Sequence, residues 1–261
     1  MIYYLAASVI SNEQIVSNYW RLVLKAPPLS KKFQPGQFVA LQCTPKREPL
    51  LKRPLGIYSA DPGKGTITLI YKVVGEGTKC LTTIVPGNSL TLLGPLGNGF
   101  NLKEDEKKII LVAGGLGMVS LFPVLKKIRQ TRKKVEIFIY WGADSQNHFF
   151  LEKDLIGLGL KNIRLATDDG SRGYHGLTTE LFARDLRHFS GGMIFACGPT
   201  PMLSKVAQLS KKYRLAAQVS LEARMACGWG VCQGCVVATV NGYKKVCDEG
   251  PVFEAGEIIW P

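Results

Sequence analysis

The chain has 261 residues, a length that accommodates two domains and a small appendage. Hydrophobic residues make up 46 % and charged residues 20 %, a composition that supports a packed core and excludes a disordered chain. The net charge is +13: residues 1–102 sum to +7, residues 103–218 to +8 and residues 219–261 to −2. Because no RNA-binding signature or interleaved aromatic stripe accompanies the positive charge, we expect a basic surface and no nucleic-acid site.

Two apolar stretches resemble membrane or export segments, and neither matches one fully. Residues 109–125 lack charge and approach the length of a membrane helix, but Gly114, Gly115, Gly117 and Pro123 favour a buried strand, a glycine turn and a helix. Residues 1–10 lack the basic start and the small-residue cleavage site of a secretory signal. We therefore expect a cytoplasmic protein that does not bind membranes, in which seven cysteines favour metal or redox chemistry over disulfides.

The first 102 residues are predicted to form short strands. Residues 21–25 and 37–42 alternate between two faces, residues 66–74 are rich in β-branched side chains, and residues 89–93 are the next predicted strand. Turn clusters that contain proline and glycine separate these segments. Several strands at this spacing favour an antiparallel barrel or sandwich.

Residues 103–218 alternate between strand and helix patterns, which predicts a parallel α/β sheet. Strands are predicted at 108–113, 135–141, 163–167 and 193–196, and helices at 121–129, 152–158, 178–189 and 201–213. Residues 219–261 are rich in glycine and cysteine, with short strands predicted at 235–240 and 243–246. The expected domains are therefore 1–102, 103–218 and 219–261.

Four cysteines stand in the third segment with the spacing C-x4-C-x2-C-x11-C: Cys227, Cys232, Cys235 and Cys247. The first three have the plant-type spacing of a 2Fe–2S cluster, and the fourth ligand is distal. Intervening glycines remove Cβ atoms where the backbone must wrap a cluster. One alternative is a structural zinc, although zinc ribbons normally show two C-x2-C knuckles and this chain has one. The other is four unrelated core cysteines.

Two glycine turns follow predicted buried strands and open predicted helices. The first contains Gly114, Gly115 and Gly117, and the second is Cys197-Gly198-Pro199. Such turns present amides and a helix N-terminus to a phosphate, and ligands of parallel sheets bind at the carboxyl ends of strands. The alternative at each place is an ordinary tight strand–helix turn.

A polar loop between these turns contains Asp168 and Asp169, whose carboxylates could accept hydrogen bonds from ribose hydroxyls. Arg172 could instead meet a 2′-phosphate, so the choice between NAD and NADP stays open. The alternative is a solvent-exposed loop without a ligand.

In the first domain, Arg53-Pro54-Leu55-Gly56 follows a strand-and-loop segment. Arg53 could bind a pyrophosphate through its guanidinium fork, or it could be one surface arginine on an ordinary strand. Residues 70–72 would supply a second strand and residues 75–78 an amide-rich loop and a helix start.

Together these pieces resemble the ferredoxin–NADP reductase superfamily, in which a flavin barrel precedes a nucleotide domain. Within it, the segments VSLE at 219–222, MACG at 225–228, CQGC at 232–235 and VCDEGPVF at 246–253 are similar to the electron transfer subunits of the NAD-dependent, two-subunit dihydroorotate dehydrogenase. The resemblance covers the whole chain and implies three cofactors: FAD, one 2Fe–2S cluster and NAD. It also implies a flavin β-barrel, a parallel α/β nucleotide domain and a small β-rich cluster module.

The resemblance implies FAD contacts at three motifs, with one departure from the family pattern. The matching residues are Arg53, Pro54 and Leu55, then Ile70, Tyr71 and Lys72, then Gly77 and Thr78. The serine that the family places next, whose hydroxyl would bond the flavin ring near N5, is replaced here by Gly56. Gly56 can offer only its backbone amide at that position.

The implied activity needs a second protein. A separate FMN-bearing catalytic subunit would oxidise dihydroorotate to orotate in pyrimidine biosynthesis, and the electrons would pass through the cluster and FAD to NAD⁺, with two copies of each chain in the complex. No residue of this chain is predicted to act as a catalytic acid or base. Two alternatives remain: a related reductase subunit that serves ferredoxin, sulfide or sulfite chemistry, and a zinc-containing nucleic-acid-binding protein.

Overall fold

The computed structural model describes residues 1–44, 48–131 and 134–261. These residues form two compact units. The first unit comprises Met1–Gly99, Ala223–Val236 and Lys245–Pro251, and the second comprises Phe100–Glu222, Val237–Lys244 and Val252–Pro261. The segment 219–261 therefore contributes to both units.

The first unit contains a closed antiparallel barrel of six strands in the order β1-β2-β5-β4-β3-β6, which confirms the expected barrel. The strands are β1 (Tyr3–Val16), β2 (Tyr19–Lys25), β3 (Phe38–Leu41), β4 (Arg53–Asp61), β5 (Thr66–Lys72) and β6 (Ser89–Leu96). The sequence patterns missed β1, whose mixed polar and apolar faces lie between β2 and β6.

The barrel interior follows from strand alternation. On β2, Leu22 and Leu24 are fully buried, and on β5 the same holds for Ile67 and Leu69, because every second side chain of a strand points inward. Two short helices, α1 (Pro27–Lys32) and α2 (Glu76–Thr82), connect barrel strands. Helix α1 begins with proline, which is tolerated in the first turn.

The second unit is built on a mostly parallel sheet, as the strand–helix alternation predicts. Its strands include β7 (Lys108–Gly114), β8 (Glu136–Ala143), β9 (Asn162–Thr167), β10 (Tyr174–His175), β11 (Met193–Cys197) and β12 (Ala216–Ser220). Three further strands lie in the third segment: β13 (Val236–Thr239), β14 (Gly242–Lys245) and β15 (Val252–Glu254). The sheet order is β10-β9-β8-β7-β11-β12-β15, with β15 antiparallel to β12, and β13 pairs with β14 in a separate two-stranded sheet.

The strand order reverses direction beside β7. From β7 the chain proceeds to β8, β9 and β10 on one side, and β11 then returns to the other side of β7. The crevice between β7 and β11 is thus the topological switch point, the place where open α/β sheets bind ligands. The helices of this unit are α3 (Gly117–Thr131), α4 (Glu152–Gly157), α5 (Thr178–Leu186) and α6 (Thr200–Tyr213).

The observed elements start and end within a few residues of the predicted ones. Helix α3 begins at Gly117, four residues earlier than predicted, because the glycine turn itself supplies the first residues of the helix. Helix α5 ends at Leu186, three residues before the predicted end. Among the described residues, no helix is both long enough and apolar enough to cross a membrane.

Candidate cofactor sites

The four predicted cluster cysteines all lie in the first unit. Cys227 and Cys232 belong to an irregular loop, Cys235 directly precedes β13, and Cys247 follows β14 by two residues. Cys235 and Cys247 are 4 % and 2 % exposed, whereas Cys232 is exposed. The loop turns through Gly228 and other residues with positive φ angles, a conformation that glycine adopts without strain.

Backbone amides donate to three of the four sulfurs. Cys232 N donates to Cys227 Sγ at 3.4 Å, Cys247 N donates to Cys235 Sγ at 3.4 Å, and Gly230 N donates to Cys247 Sγ at 3.1 Å. Sulfurs that accept amide hydrogens are suited to carry negative charge, because the donors stabilise the thiolate form. Hydrogen bonds to the sulfurs are also one of the factors that set the reduction potential of an iron–sulfur cluster.

The thiol pKa values show the two opposing influences on these sulfurs. For Cys227, burial raises the pKa, but amide donors led by Trp229 and Cys232 outweigh burial and lower it to about 6. For Cys247, burial and the neighbouring thiol of Cys235 raise the pKa to about 12, against the lowering effect of the Gly230 amide. The buried ligand therefore needs a metal cation to become a thiolate at neutral pH.

The thiols lie in pairs, Cys227 with Cys232 and Cys235 with Cys247. A cluster of two irons takes two thiolates on each iron, so the donor set fits a 2Fe–2S group. In the part of the chain that the structure describes, no group of three or more His, Cys, Asp or Glu side chains is placed to hold one metal ion.

The segment that carries Cys247 is attached to the end of barrel strand β6. Asn98 N donates to Gly250 O at 2.5 Å, and Asn98 Nδ2 donates to the carbonyls of Asp248 at 3.3 Å and Glu249 at 3.0 Å. A Cβ atom on Gly97 would lie 2.5 Å from both Gly250 O and Pro251 Cδ, so this close approach requires glycine. The distal cluster ligand is thereby tied to the barrel.

The predicted FAD phosphate residues meet at one place on the barrel. Arg53 is the first residue of β4, and Gly77 lies in the first turn of α2. The Arg53 guanidinium packs so closely on Gly77 that a Cβ atom there would overlap it. Arg53 Nη1 also donates to Leu51 O at 2.5 Å. The first amides of α2 have no acceptor within their helix, and the guanidinium adds a full positive charge beside them. An anion such as the FAD pyrophosphate fits between these donors.

The remaining residues of β4 contribute backbone at this site. Arg53, Pro54, Leu55 and Gly56 pair in register with β3, where Gly56 lies opposite Phe38. All four are half-buried. Leu55 packs against the barrel core and Gly56 has no side chain, so these two residues can offer a ligand only their main chain.

The other two predicted FAD motifs are placed differently from each other. The Tyr71 side chain is buried in the barrel core and donates to Asn12 Oδ1 at 3.2 Å, so only its main chain is available to a flavin. Strand alternation turns Ile70 and Lys72 to the other face of β5. The Thr78 hydroxyl accepts from Val74 N at 2.9 Å and Gly75 N at 3.2 Å, which shapes the loop before α2.

The two predicted nucleotide turns come together at the switch point. Strands β7 and β11 are adjacent, with Ala113 opposite Cys197. A Cβ atom on Gly117 would overlap the Cys197 carbonyl oxygen, and one on Gly114 would lie 2.7 Å from Pro199 Cδ. The turns also use Gly115 at φ +52° and Gly198 at φ +159°. Helices α3 and α6 both begin here, so two helix N-termini border one crevice, and a dinucleotide pyrophosphate binds at such a helix N-terminus.

Cys197 is a neutral thiol at this crevice. It is 2 % exposed, and burial raises its pKa to about 12, with the Glu222 carboxylate acting in the same direction. It therefore provides a small apolar surface and a weak S–H donor, without a negative charge that would repel a phosphate.

Asp168 and Asp169 follow β9, which is two strands away from β7. Asp169 Oδ1 accepts from Ser171 Oγ at 2.6 Å and from Ser171 N at 2.9 Å, and these bonds lower its pKa. Arg172, the alternative partner for a 2′-phosphate, is bound by Glu152 at 2.8 Å. This ion pair and the two carboxylates favour ribose hydroxyls over an added phosphate.

Asp144, which no sequence pattern indicated, directly follows β8, the strand beside β7. Its side chain is 70 % exposed, and Oδ2 lies 3.7 Å from His148 Nδ1. An acidic residue at the end of the second strand is the usual ribose ligand of dinucleotide sheets. Its position three residues after the predicted strand 135–141 gave no clear signal, because the sequence does not show which strand lies beside β7.

A flavin barrel, a dinucleotide crevice and a loop of four paired cysteines define an iron–sulfur flavoprotein reductase. Residues 6–116 match the family described as Oxidoreductase FAD-binding domain, and residues 222–259 match the Iron-sulfur cluster binding domain of dihydroorotate dehydrogenase B. The chain belongs to the family of electron transfer subunits of dihydroorotate dehydrogenase B (NAD(+)), a conclusion that also rests on the relatives described next.

Several relatives bear the name "Dihydroorotate dehydrogenase B (NAD(+)), electron transfer subunit", and three of them follow. The protein of Geobacillus sp. (strain WCH70) is 36 % identical over 257 residues, that of Shouchella clausii 34 % over 258 and that of Desulforamulus reducens 32 % over 258. The alignments cover 97 % of this chain and 97 %, 96 % and 97 % of the respective relatives. Membership of this family sets aside the zinc-containing nucleic-acid-binding alternative.

Solved structures agree with the fold. A chain of the NADH-dependent reduced ferredoxin–NADP oxidoreductase, described in work on flavin-based electron bifurcation, superposes with a TM-score of 0.86 at 26 % identity, over 97 % of this chain and 90 % of that chain. A ferredoxin NADP⁺ reductase from Neisseria gonorrhoeae with bound FAD and NADP superposes with a TM-score of 0.69 at 15 % identity, over 84 % and 99 %. The second similarity concerns the fold alone.

Proposed function

We propose that this chain receives electrons from a catalytic partner that oxidises dihydroorotate to orotate and delivers them to NAD⁺, as a cytoplasmic step of pyrimidine biosynthesis. The partner carries FMN, and the complex holds two copies of each chain. The observation that carries this proposal is the attachment of the Cys247 segment to strand β6 through Asn98, which joins the cluster ligands and the flavin barrel in one compact unit.

Each cofactor has its own set of residues in this proposal. The division into residues 1–102 for FAD, 103–218 for NAD and 219–261 for the cluster follows the motifs, although the cysteines themselves pack within the barrel unit. The cluster is held by Cys227, Cys232, Cys235 and Cys247. FAD is held by Arg53, Pro54, Leu55, Gly56, Ile70, Tyr71, Lys72, Gly77 and Thr78. NAD is held by Gly114, Gly115, Gly117, Asp168, Asp169, Cys197, Gly198 and Pro199, with Asp144 added from the structure.

The protein's own residues bind and orient these groups. Bound together, a cluster that carries single electrons, a flavin and a nicotinamide that accepts a hydride supply the redox chemistry. Arg53 and the first turn of α2 neutralise phosphate charge, and Thr78 holds the loop that presents those amides. Amides of the cysteine loop stabilise thiolate charge. The three histidines, His148, His175 and His188, all lie in the nucleotide segment, and none is proposed as a catalytic acid or base.

The partner contacts the cysteine loop, because single-electron transfer requires the cluster near the partner's flavin. Two large apolar side chains of this loop face solvent: Trp229 is 54 % exposed and Val231 72 % exposed. Tryptophan is among the residue types that contribute most to binding at interfaces, and Trp229 stands on the loop that carries the cluster ligands. Trp229→Glu should impair turnover by the complex and spare reduction of an artificial acceptor by NADH. Val85→Glu, which changes an exposed apolar residue of the barrel, is the matched control.

The test of the proposed function uses the purified chain with its cofactors. Its absorption spectrum should show flavin bands and a cluster shoulder, and NADH should reduce artificial acceptors through its FAD. Dihydroorotate-dependent NAD⁺ reduction should appear only when the catalytic partner is added. Turnover of dihydroorotate by the chain alone, at the rate of the complex, would refute the division of labour.

A second candidate is a reductase subunit that serves ferredoxin, sulfide or sulfite chemistry. The superposition with the NADH-dependent reduced ferredoxin–NADP oxidoreductase at a TM-score of 0.86 favours it. Efficient NADH-dependent reduction of ferredoxin, together with no gain of dihydroorotate oxidation on adding the partner, would support this candidate over the first.

A further inference from the structure

Lys245 lies beside the proposed cluster ligands but is not one of them. It ends strand β14, and its side chain is 29 % exposed. Its ammonium group lies 3.1 Å from Asp248 Oδ2 and donates to Gly230 O at 3.2 Å. One lysine thus connects the loop before Cys232 with the turn after Cys247.

Gly230 is the residue that this lysine holds. Its carbonyl accepts from Lys245, while its amide donates to Cys247 Sγ at 3.1 Å. Gly230 has φ +88°, and a Cβ atom there would lie 2.7 Å from Asp248 Oδ2. The amide–sulfur bond therefore depends on a residue that is packed against the ion pair of Lys245 and Asp248.

The backbone of the turn does not depend on the Lys245 side chain. Lys245 O accepts from the amides of Asp248 at 3.2 Å, Glu249 at 2.9 Å and Gly250 at 3.2 Å, and Lys245 N donates to Glu249 Oε2 at 2.8 Å. A change of the side chain alone leaves these bonds in place. The ammonium group can therefore be removed without removing the bonds that shape the turn.

We propose that Lys245 is a positioning residue that raises the reduction potential of the 2Fe–2S cluster, by placing a positive charge beside Cys247 and by holding Gly230 as an amide donor to its sulfur. The inference rests on the proposed assignment of the four cysteines as cluster ligands. Reduction adds one negative charge to the cluster, and both a nearby cation and an amide–sulfur hydrogen bond stabilise the reduced form more than the oxidised form.

The sign of the effect can be tested from both ends of the ion pair. Lys245→Met removes the cation and leaves Asp248 unpaired, so the cluster potential should fall. Asp248→Asn removes the carboxylate and leaves the cation, so the potential should rise. Lys245→Arg keeps the charge and should restore most of the native potential. Lys244→Met is the matched control, because this neighbouring lysine is bound by Glu257 at 2.8 Å and its loss changes the net charge equally.

The measurement is a redox titration of the full chain with FAD and cluster bound, followed by electron paramagnetic resonance. Mutation of residues that support metal ligands typically costs about 10- to 100-fold in metal affinity or activity. We take the low end and expect the equilibrium constant for cluster reduction to fall about tenfold in Lys245→Met. For one electron, a tenfold fall equals about 59 mV. Iron and sulfide content should remain that of the unchanged chain.

The outcomes separate this inference from the proposed function. A native chain without a cluster signal would refute the cysteine assignment itself. If the native chain carries the cluster, two results would overturn only the role of Lys245. One is an unchanged cluster potential in Lys245→Met, and the other is an equal shift of the potential in the control Lys244→Met. If the Lys245→Met variant loses its cluster, the other two variants decide. A cluster potential that falls in Asp248→Asn, or one well below the native value in Lys245→Arg, would overturn the role of Lys245.

Discussion

Replacing Asn98 by alanine should loosen the cluster without releasing FAD. The Asn98 side chain gives two hydrogen bonds to the segment after Cys247, at 3.3 and 3.0 Å, and both are exposed to solvent. At about 0.5–1.5 kcal/mol for each bond, with exposure favouring the lower values, the loss is about 1–2 kcal/mol. The backbone bond from Asn98 N to Gly250 O remains in the variant, so the segment should open more often and not unfold permanently.

A free-energy change of this size corresponds to about a 5- to 30-fold higher open fraction. The assay is the rate at which an iron chelator bleaches the cluster absorbance of the full chain. The release of FAD is followed in parallel by its fluorescence. We expect bleaching to accelerate by that factor while FAD release stays unchanged. Asn88→Ala is the control, because its side chain accepts from Val85 N at 3.1 Å within its own turn. Bleaching within twofold of the native rate in Asn98→Ala, or equal acceleration in Asn88→Ala, would refute the reasoning.

Three further predictions concern the cofactor residues. Changing any one of the four cluster cysteines to serine should abolish the cluster signal and leave most FAD bound, and metal analysis that finds zinc in the native chain would contradict this. Arg53→Ala should release FAD during gel filtration, because a charged hydrogen-bond donor to the phosphate is lost. Gly56→Ser should retain FAD and alter the flavin potential or the hydride-transfer rate. The opposite pattern would show that residues 53–56 are misassigned. Gly117→Ala should weaken NADH binding and spare the cluster, because the added methyl group overlaps the Cys197 carbonyl oxygen, and a native KM for NADH would count against the site.

The local features of this chain were predictable from the sequence because they depend on neighbouring residues. Alternating apolar residues predicted most of the barrel strands, and continuous apolar runs followed by glycine predicted β7 and β11. The spacing of the four cysteines predicted a 2Fe–2S cluster, and the matching family domain over residues 222–259 confirms the iron–sulfur module. The cofactor classes could therefore be derived without a structure, whereas the individual site residues stay predictions.

Contacts between distant residues were decided by the tertiary structure alone. Asn98 binds carbonyls 150 and 151 residues later, and Lys245 reaches back 15 residues to Gly230. Nothing in the local pattern of either residue indicates such a partner, because strand pairing and loop packing determine which polar groups meet. The inward direction of Tyr71 was hidden for the same reason, since the pattern of one strand does not show which face closes the barrel. Asp144 became a candidate ribose ligand only when the sheet order placed β8 beside β7.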